Sequence, residues 1–286
     1  HSSHRRQRQM CIRDSYTLNL SPNVPNAIYR QKVNLSVSVN NKTITYGDAA
    51  PTFTTTINGL VNGDTLNDVV GNDTINMSNY NVGSRPINTA GTTDRLGYSL
   101  NYQPGLFTVN PKTVSLAVAP KVYDASTDMT GYVSITTGVG SETLTYNGAT
   151  SSDVRVATAG KYLNAITLGN ASDGSGGLAS NYQLPTLNVT NAPITINPKT
   201  LTLTLTNSGY SQVYDGDAAA DITPAWSFNG FISGDTSALI NYASKAYNDK
   251  DVAAANLITI SGLTIDGITG GNNSAATDYI LDANTK

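Results

Sequence analysis

Reactive side chains are scarce in this chain. In 286 residues it carries one cysteine, two histidines and a single glutamate, Glu142. Cys11, His1 and His4 all fall within the first fifteen positions, so from residue 16 onward neither residue type occurs. That removes Cys/His zinc sites, Ser-His-Asp triads, thiol nucleophiles and disulfides as organising features. One glutamate also leaves little material for a hydrolytic carboxylate pair flanking a cleft, so no catalysis and no cofactor are expected. Charged residues make up only 13% of the chain. Setting aside Arg5, Arg6, Arg8, Arg13 and Asp14, the rest carries 13 basic minus 19 acidic residues, or -6. A mildly acidic body without Lys/Arg runs is a poor match for phosphate backbones, which excludes nucleic acid as a partner. No run of 18 or more apolar residues occurs, so no membrane insertion is expected.

What remains is an uncharged, hydroxyl-rich composition. Hydrophobic residues account for 39%, and Thr, Asn, Ser, Gly and Ala dominate the rest. Such a surface suits an extracellular β protein better than a cytosolic enzyme. At about 150 residues per domain the length fits two domains, or three if the modules are small and β-rich. The opening HSSHRRQRQMCIRDS (residues 1–15) shares none of the later composition. It has no apolar core of the kind a signal peptide needs and resembles translated sequencing-adapter sequence; a disordered basic tail is the alternative.

Internal repeats set the organisation. LFTVNPKTVSLAVAPKVYDAS (residues 106–126) returns as ITINPKTLTLTLTNSGYSQVYDGD (residues 194–217). The two NPKT motifs start at Asn110 and Asn197, a spacing of 197 minus 110, or 87, which is a domain-sized period and implies tandem modules. A third copy begins earlier, where VNLSVSVNNKTITYGDAAP (residues 33–51) repeats an alternating strand followed by a tyrosine turn. NGLVNGDTLNDVV (residues 58–70) likewise matches NGFISGDTSALI (residues 229–240), with the degenerate TGVGSETL at residues 137–144. Each unit closes on a tyrosine step: LNYQ from Leu100, SNYQ from Ser180 and TDYI from Thr277. SYTLNLSPNVPNAIYRQK (residues 15–32) reads like the closing strand of a preceding unit, and the last unit lacks its own. The division is therefore residues 16–32 as the end of a preceding module, then modules at 33–111, 112–198 and 199–286.

In VNLSVSV, Val33, Leu35, Val37 and Val39 alternate with polar residues, and Leu201, Leu203 and Leu205 alternate with threonines. Period-two alternation in such runs signals strands with one buried and one wet face. The fold expected is mainly β: tandem small antiparallel modules, β-grasp-like or Ig-like sandwiches, each with at most one short helix. Asp64-Thr65 and Asp235-Thr236 offer short side-chain oxygens as helix caps, which predicts a helical turn in modules one and three. Module two has Glu142 instead and continues as TLTY, which reads as strand.

TITYGDAAPTFTTTINGLVNGDT and LNYQPGLFTVNP resemble the MBG-type repeat, and KTVSLAVAPKVYDASTDMTG and KTLTLTLTNSGYSQVYDGD resemble the YDG repeat. Both occur in tandem in large bacterial surface proteins of the filamentous-haemagglutinin-like adhesin kind. The resemblance covers residues 33 to 286 and implies β modules strung between a secretion-directing domain and an adhesive end. Ala125 stands where the YDG motif would have glycine, which implies a different turn there.

The motif residues admit a structural and a functional reading. Tyr46, Tyr123 and Tyr214 recur at equivalent places, which favours rings closing each module core, hydroxyls satisfied at the turn, over ligand-stacking aromatics. Gly47, Asp48, Asp124, Asp215 and Gly216 then serve the turn through Asx bonds and positive φ. Asp215, Asp217 and Asp221 crowd one tyrosine and suggest calcium, yet they lack EF-hand spacing and a closing glutamate. Pro111 and Pro198 at the NPKT joints interrupt the strand ladder and leave about two residues between modules, which predicts a semi-rigid stack. The function expected is a stalk of a secreted or surface-exposed bacterial adhesin that projects a distal binding region, its partners being neighbouring modules, with host glycans or proteins reached through the parent protein. The alternative makes the modules themselves the binders of host glycans or surface proteins.

Overall fold

The computed structural model describes residues 31–70, 75, 77–89, 94–95, 97–207 and 209–283. The tail assigned to residues 1–15 and nearly all of the 16–32 segment lie outside the described residues. Two compact units form: unit 1 takes the described residues up to Lys112 together with Ser180–Gln183, and unit 2 takes Thr113–Ala179 and the residues from Leu184 onward.

Unit 1 is built on β1 (Val33–Val39), whose alternation places Leu35, Val37 and Val39 in the interior and the intervening serines in solvent. Burying each such side chain contributes on the order of 2 kcal/mol, which fixes the register, since a one-residue slip would expose all three. Beyond β1 come β2 (Lys42–Thr45), β3 (Thr55–Ile57), α1 (Leu66–Val70), β4 (Gly83–Ile87), β5 (Asp94–Arg95), β6 (Tyr98–Gln103) and β7 (Gly105–Asn110). The first sheet runs β3-β1-β6-β5, with β3 antiparallel and β6 parallel to β1. In the second, β7 lies between β2, which is parallel, and β4, which is antiparallel. The chain crosses from β6 to β7 at Gly105, where a Cβ would stand 2.6 Å from the Val39 carbonyl oxygen, so only glycine fits. Leu35, Val37, Val69, Val70, Tyr98 and Leu100 form one core cluster, and Val39, Ile87, Phe107 and Val109 a second.

After β8 (Lys112–Thr113), unit 2 contains β9 (Ser115–Val118), β10 (Lys121–Val122), β11 (Val133–Thr136), β12 (Thr145–Ser151) and β13 (Leu163–Gly169). β14 (Tyr182–Gln183) belongs to unit 1 and is hydrogen-bonded to β8. Then follow β15 (Ile196–Asn197), β16 (Lys199–Leu205), β17 (Trp226–Asn229), β18 (Asp235–Asn241), β19 (Ser244–Tyr247), β20 (Ile258–Ser261), β21 (Thr264–Gly270) and β22 (Tyr279–Leu281). Antiparallel pairs β9/β11, β12/β13, β16/β17, β18/β21 and β19/β20 form the hairpin-like parts. β10/β15 and β16/β22 are parallel. A single core cluster draws Tyr123, Met129, Leu163 and Ile196 from residues 112–198 and Leu201 and Tyr279 from residues 199–286.

The fold is thus the expected series of small β modules, with parallel pairings that alternation alone does not reveal. In each case the opening part of a module is zipped to its closing part, Val33 opposite Tyr98 and Lys199 opposite Tyr279. This register makes Tyr98 the counterpart of Tyr279; Tyr102 lies four residues further along the same strand, opposite Val37.

The helix expected in module one is present, and of the two side chains offered as caps it uses Thr65. The Thr65 side chain and the carboxylate of Asp68 bond reciprocally to each other's backbone N–H groups, at 3.4 and 2.9 Å, closing a capping box. The helix expected in module three is absent: Asp235–Asn241 is strand β18. Leu239 occupies the place of Asp68 and cannot close the box, and the Asp235 carboxylate is engaged elsewhere. Ala125 also departs from expectation. It holds φ 59°, the left-handed value that Gly216 adopts at the same position with φ 90°, so the turn keeps its shape despite the missing glycine.

Candidate functional site

The NPKT joints are anchored to the tyrosine turns by backbone bonds. Tyr46 N–H donates to the Asn110 carbonyl at 2.8 Å, and Tyr123 N–H donates to the Asn197 carbonyl at 2.9 Å. Pro111 and Pro198 each form a one-residue break between strands, β7 to β8 and β15 to β16, where a missing N–H costs nothing. The acidic turn residues are occupied locally. Asp48 accepts from Thr45 N–H, Asp124 from Ser126 N–H and from Lys121, and Asp215 from Asp217 N–H and Gln212. The bond from the Asp217 backbone is the main reason the Asp215 carboxyl lies below its ordinary value. Asp217 accepts from Ala219 N–H, and the exposed Asp221 contributes only its own N–H to Gln212. Among the described residues, no group of three or more His, Cys, Asp or Glu is placed to hold a metal ion.

Asp64 and Asp235 serve as anchors for buried tyrosines. Tyr98 donates its hydroxyl proton to Asp64 at 2.7 Å and accepts from Val61 N–H at 3.0 Å. Tyr279 does the same with Asp235 at 2.7 Å and Ile232 N–H at 3.2 Å. The hydrogen bond to Asp64 raises the Tyr98 phenol above its ordinary value, and burial followed by the bond to Asp235 raises Tyr279. Burial works against ionisation of Asp235, but donors from Ser274, Tyr279 and Asn272 outweigh it and hold the carboxyl below its ordinary value.

Around Asp235 the third module meets the second inside unit 2. Arg155 Nη1 donates to the Tyr123 hydroxyl at 2.8 Å and to Asp278 Oδ2 at 2.7 Å, while Nη2 donates to the Asn272 carbonyl at 3.0 Å. Asp278 is fully buried and also accepts from Val156 N–H at 2.9 Å and Ala275 N–H at 2.8 Å. Its bond to Arg155 is the main reason the guanidinium is held above its ordinary value. Tyr123 and Ser274 hydroxyls stand 2.7 Å apart, and Ser274 donates to Asp235 at 2.6 Å. Since Ser274 spends its proton on Asp235, Tyr123 must donate to Ser274. The bonds therefore run in one direction, from Arg155 through Tyr123 and Ser274 to Asp235. The Tyr123 and Tyr279 rings meet edge to face at 5.8 Å.

This arrangement revises the role expected of Tyr123. Its ring is buried and its hydroxyl is satisfied by Arg155 and Ser274, not by its own turn. Within unit 1 the same pattern recurs: Tyr46 meets Tyr182 edge to face at 5.4 Å. Asn181 accepts from Val82 N–H at 3.0 Å and donates to Asn81 at 3.0 Å. Asn181 thus stands where Asp278 stands, and Asn81-Val82 where Arg155-Val156 stand. Tyr214 differs from both, since it is 57% exposed. Asn81, Arg155, Asn181, Ser274 and Asp278 were not evident from the sequence; the one available signal was the Asn or Asp preceding the closing tyrosine in SNY and TDY.

The cluster is hydrogen-bonded throughout and ties two modules together. No helix among the described residues is long and apolar enough to cross a membrane. Neither the curated proteins nor the solved structures contain a match to the chain. Residues 35–108 match the MBG domain (YGX type), and residues 197–286 match the YDG domain. The chain carries an MBG domain and a YDG domain, tandem modules of large surface proteins.

Proposed function

We propose that these modules are stalk repeats of a secreted, surface-exposed bacterial adhesin, without catalytic activity, and that they project a binding region located elsewhere in the parent protein. The observation that carries this reading is the continuous bond chain from Arg155 to Asp235, which ties the second module to the third through side chains that a binding or catalytic surface would leave open. A spacer needs its modules to resist swinging, and a buried, directional network over a shared core supplies that resistance. The adhesin context and extracellular location rest on the surface-protein character of the MBG and YDG modules.

A second reading makes the modules themselves bind host glycans or surface proteins. One feature favours it: Tyr214 is exposed beside Asp215 in an open cleft. A glycan array probed with the full chain separates the two. The stalk reading expects no reproducible binding at micromolar concentration. Binding that is abolished by Tyr214→Ala would replace it, and turnover in a broad hydrolase screen would overturn the non-catalytic part.

A further inference from the structure

All three modules build the same backbone turn at one place. Asn81 N–H donates to Asn79 Oδ1 at 2.9 Å, Arg155 N–H to Asp153 Oδ1 at 2.7 Å and Asp251 N–H to Asp249 Oδ1 at 2.8 Å. A valine follows each turn, at Val82, Val156 and Val252. In modules one and two that valine N–H receives a side chain of the next module: Val82 N–H donates to Asn181 Oδ1 at 3.0 Å, and Val156 N–H to Asp278 Oδ1 at 2.9 Å. The incoming residue ends a short 3₁₀ turn, Ala179–Asn181 or Ala276–Asp278, immediately before a closing tyrosine. Both incoming residues are buried, Asn181 at 1% exposure and Asp278 at 0%.

Turn, valine and 3₁₀ step all repeat, so the backbone alone would accept either step at either turn. What differs is one side chain on each side. At the first turn Asn181 Nδ2 donates to Asn81 Oδ1 at 3.0 Å, a neutral pair. At the second, Arg155 Nη1 donates to Asp278 Oδ2 at 2.7 Å, an ion pair. Crossing the partners breaks both. Asp278 set against Asn81 would be a buried carboxylate without a counter-charge, since Arg85 directs its two Nη groups to the Asn79 and Asn81 carbonyls. Asn181 set against Arg155 would leave the guanidinium with a neutral acceptor in place of a carboxylate. Module three has Asp251 at this place, whose sign would repel Asp278.

We propose that residues 81, 155 and 251 on the turn and residues 181 and 278 on the step form a pairing code that selects which module docks on which. An amide turn takes an amide step, a guanidinium turn takes a carboxylate step, and an acidic turn refuses a carboxylate step. The step of module three, on its own chain or on a second copy, therefore docks on module two and not on module one or module three. The shared valine N–H bond holds either step, and the charge on the two side chains makes the choice. The code concerns the order of modules and stands whether they act as a stalk or as binders.

The test is a pair of double-variant cycles in the full chain, read at pH 7 as protection of the Val82 and Val156 amides against hydrogen exchange. Asn181→Asp is expected to lower Val82 protection about tenfold, and Arg155→Asp to lower Val156 protection about a hundredfold. Each loss should reverse when the partner is changed to match. Asn81→Arg added to Asn181→Asp should return Val82 to within about threefold of the unaltered chain. Asp278→Asn, harmful by itself, should raise Val156 protection about tenfold when added to Arg155→Asp. That change of sign separates a code from a merely structural role, in which the losses add. Should Arg155→Asp fail to fold, its matched double variant must restore the fold reported by Trp226 fluorescence. Losses that add, a matched double variant that stays unfolded, or single variants that leave both amides unchanged overturn the inference.

Discussion

Asp278→Asn is the sharpest perturbation of the joint. The carboxylate is fully buried and accepts three bonds, from Arg155 at 2.7 Å, Val156 N–H at 2.9 Å and Ala275 N–H at 2.8 Å. An amide offers one acceptor oxygen, so its best orientation keeps the oxygen toward Arg155 and Ala275 and turns an NH2 group toward the Val156 N–H. That leaves a buried donor facing a donor, at about 1–3 kcal/mol, and exchanges the ion pair for a bond in which only the guanidinium is charged, a further loss of about 1 kcal/mol. Arg155 is 27% exposed, which places the total toward the lower part of the range, about 2–3 kcal/mol. For a unit of this size the melting temperature should fall by roughly 4–12 °C. Trp226, the only tryptophan, lies in β17 of module three and reports the transition in urea by fluorescence. Arg155→Asn combined with Asp278→Asn recreates the Asn81–Asn181 pair of unit 1 and should recover about half of the loss. A single-variant loss below about 0.5 kcal/mol, the range of an ordinary surface ion pair, or a double variant as damaged as the sum of the singles, would refute this account of the joint.

Three further outcomes follow from individual residues. Tyr98→Phe strips the hydroxyl shared by Asp64 and Val61 and should cost unit 1 about 1–2 kcal/mol, read as a lower melting temperature with unit 2 unaffected. Ala125→Gly relieves a left-handed backbone that costs an L-residue about 1–2 kcal/mol, offset in part by chain entropy; a gain of about 0.5–1 kcal/mol in the urea transition is expected, and a loss would contradict the strain. Asp235 titrates below its ordinary value in the fold, so its contribution is complete above the unfolded carboxyl value of about 4 and fades as pH falls through the lower folded value. Acid titration followed by Trp226 fluorescence should show that loss, and Asp235→Asn should flatten it.

Much of this architecture is legible from local pattern, and the joint is not. Alternation at Val33 to Val39 and at Leu201 to Leu205 marks strands because a half-buried sheet has a period of two, and the NPKT spacing marks modules because each one repeats. Strand orientation is not encoded in that period, so the parallel zipping of Val33 to Tyr98 emerges only in three dimensions. The GDT step misled at Asp235 because its carboxylate has stronger donors available across the module than any backbone N–H it might cap. Arg155 and Asp278 are 123 residues apart and obey no motif spacing; only the recurrence of Asn or Asp before the closing tyrosine hinted that this position does something common to both joints. Tyr123 and Tyr214 look interchangeable in sequence, yet the first is buried under a closing strand and the second lies open, since what separates them is the neighbour each one meets.

The central claim is that modules two and three form one cooperative piece. Amide hydrogen exchange of the full chain tests it directly, by comparing the slowest core amides of module two, at Val133 and Leu163, with those of module three, at Leu201 and Leu203. Equal opening free energies, lowered together by Asp278→Asn, are the predicted result. Two distinct opening free energies, with the substitution lowering only that of module three, would show independent beads and contradict the account.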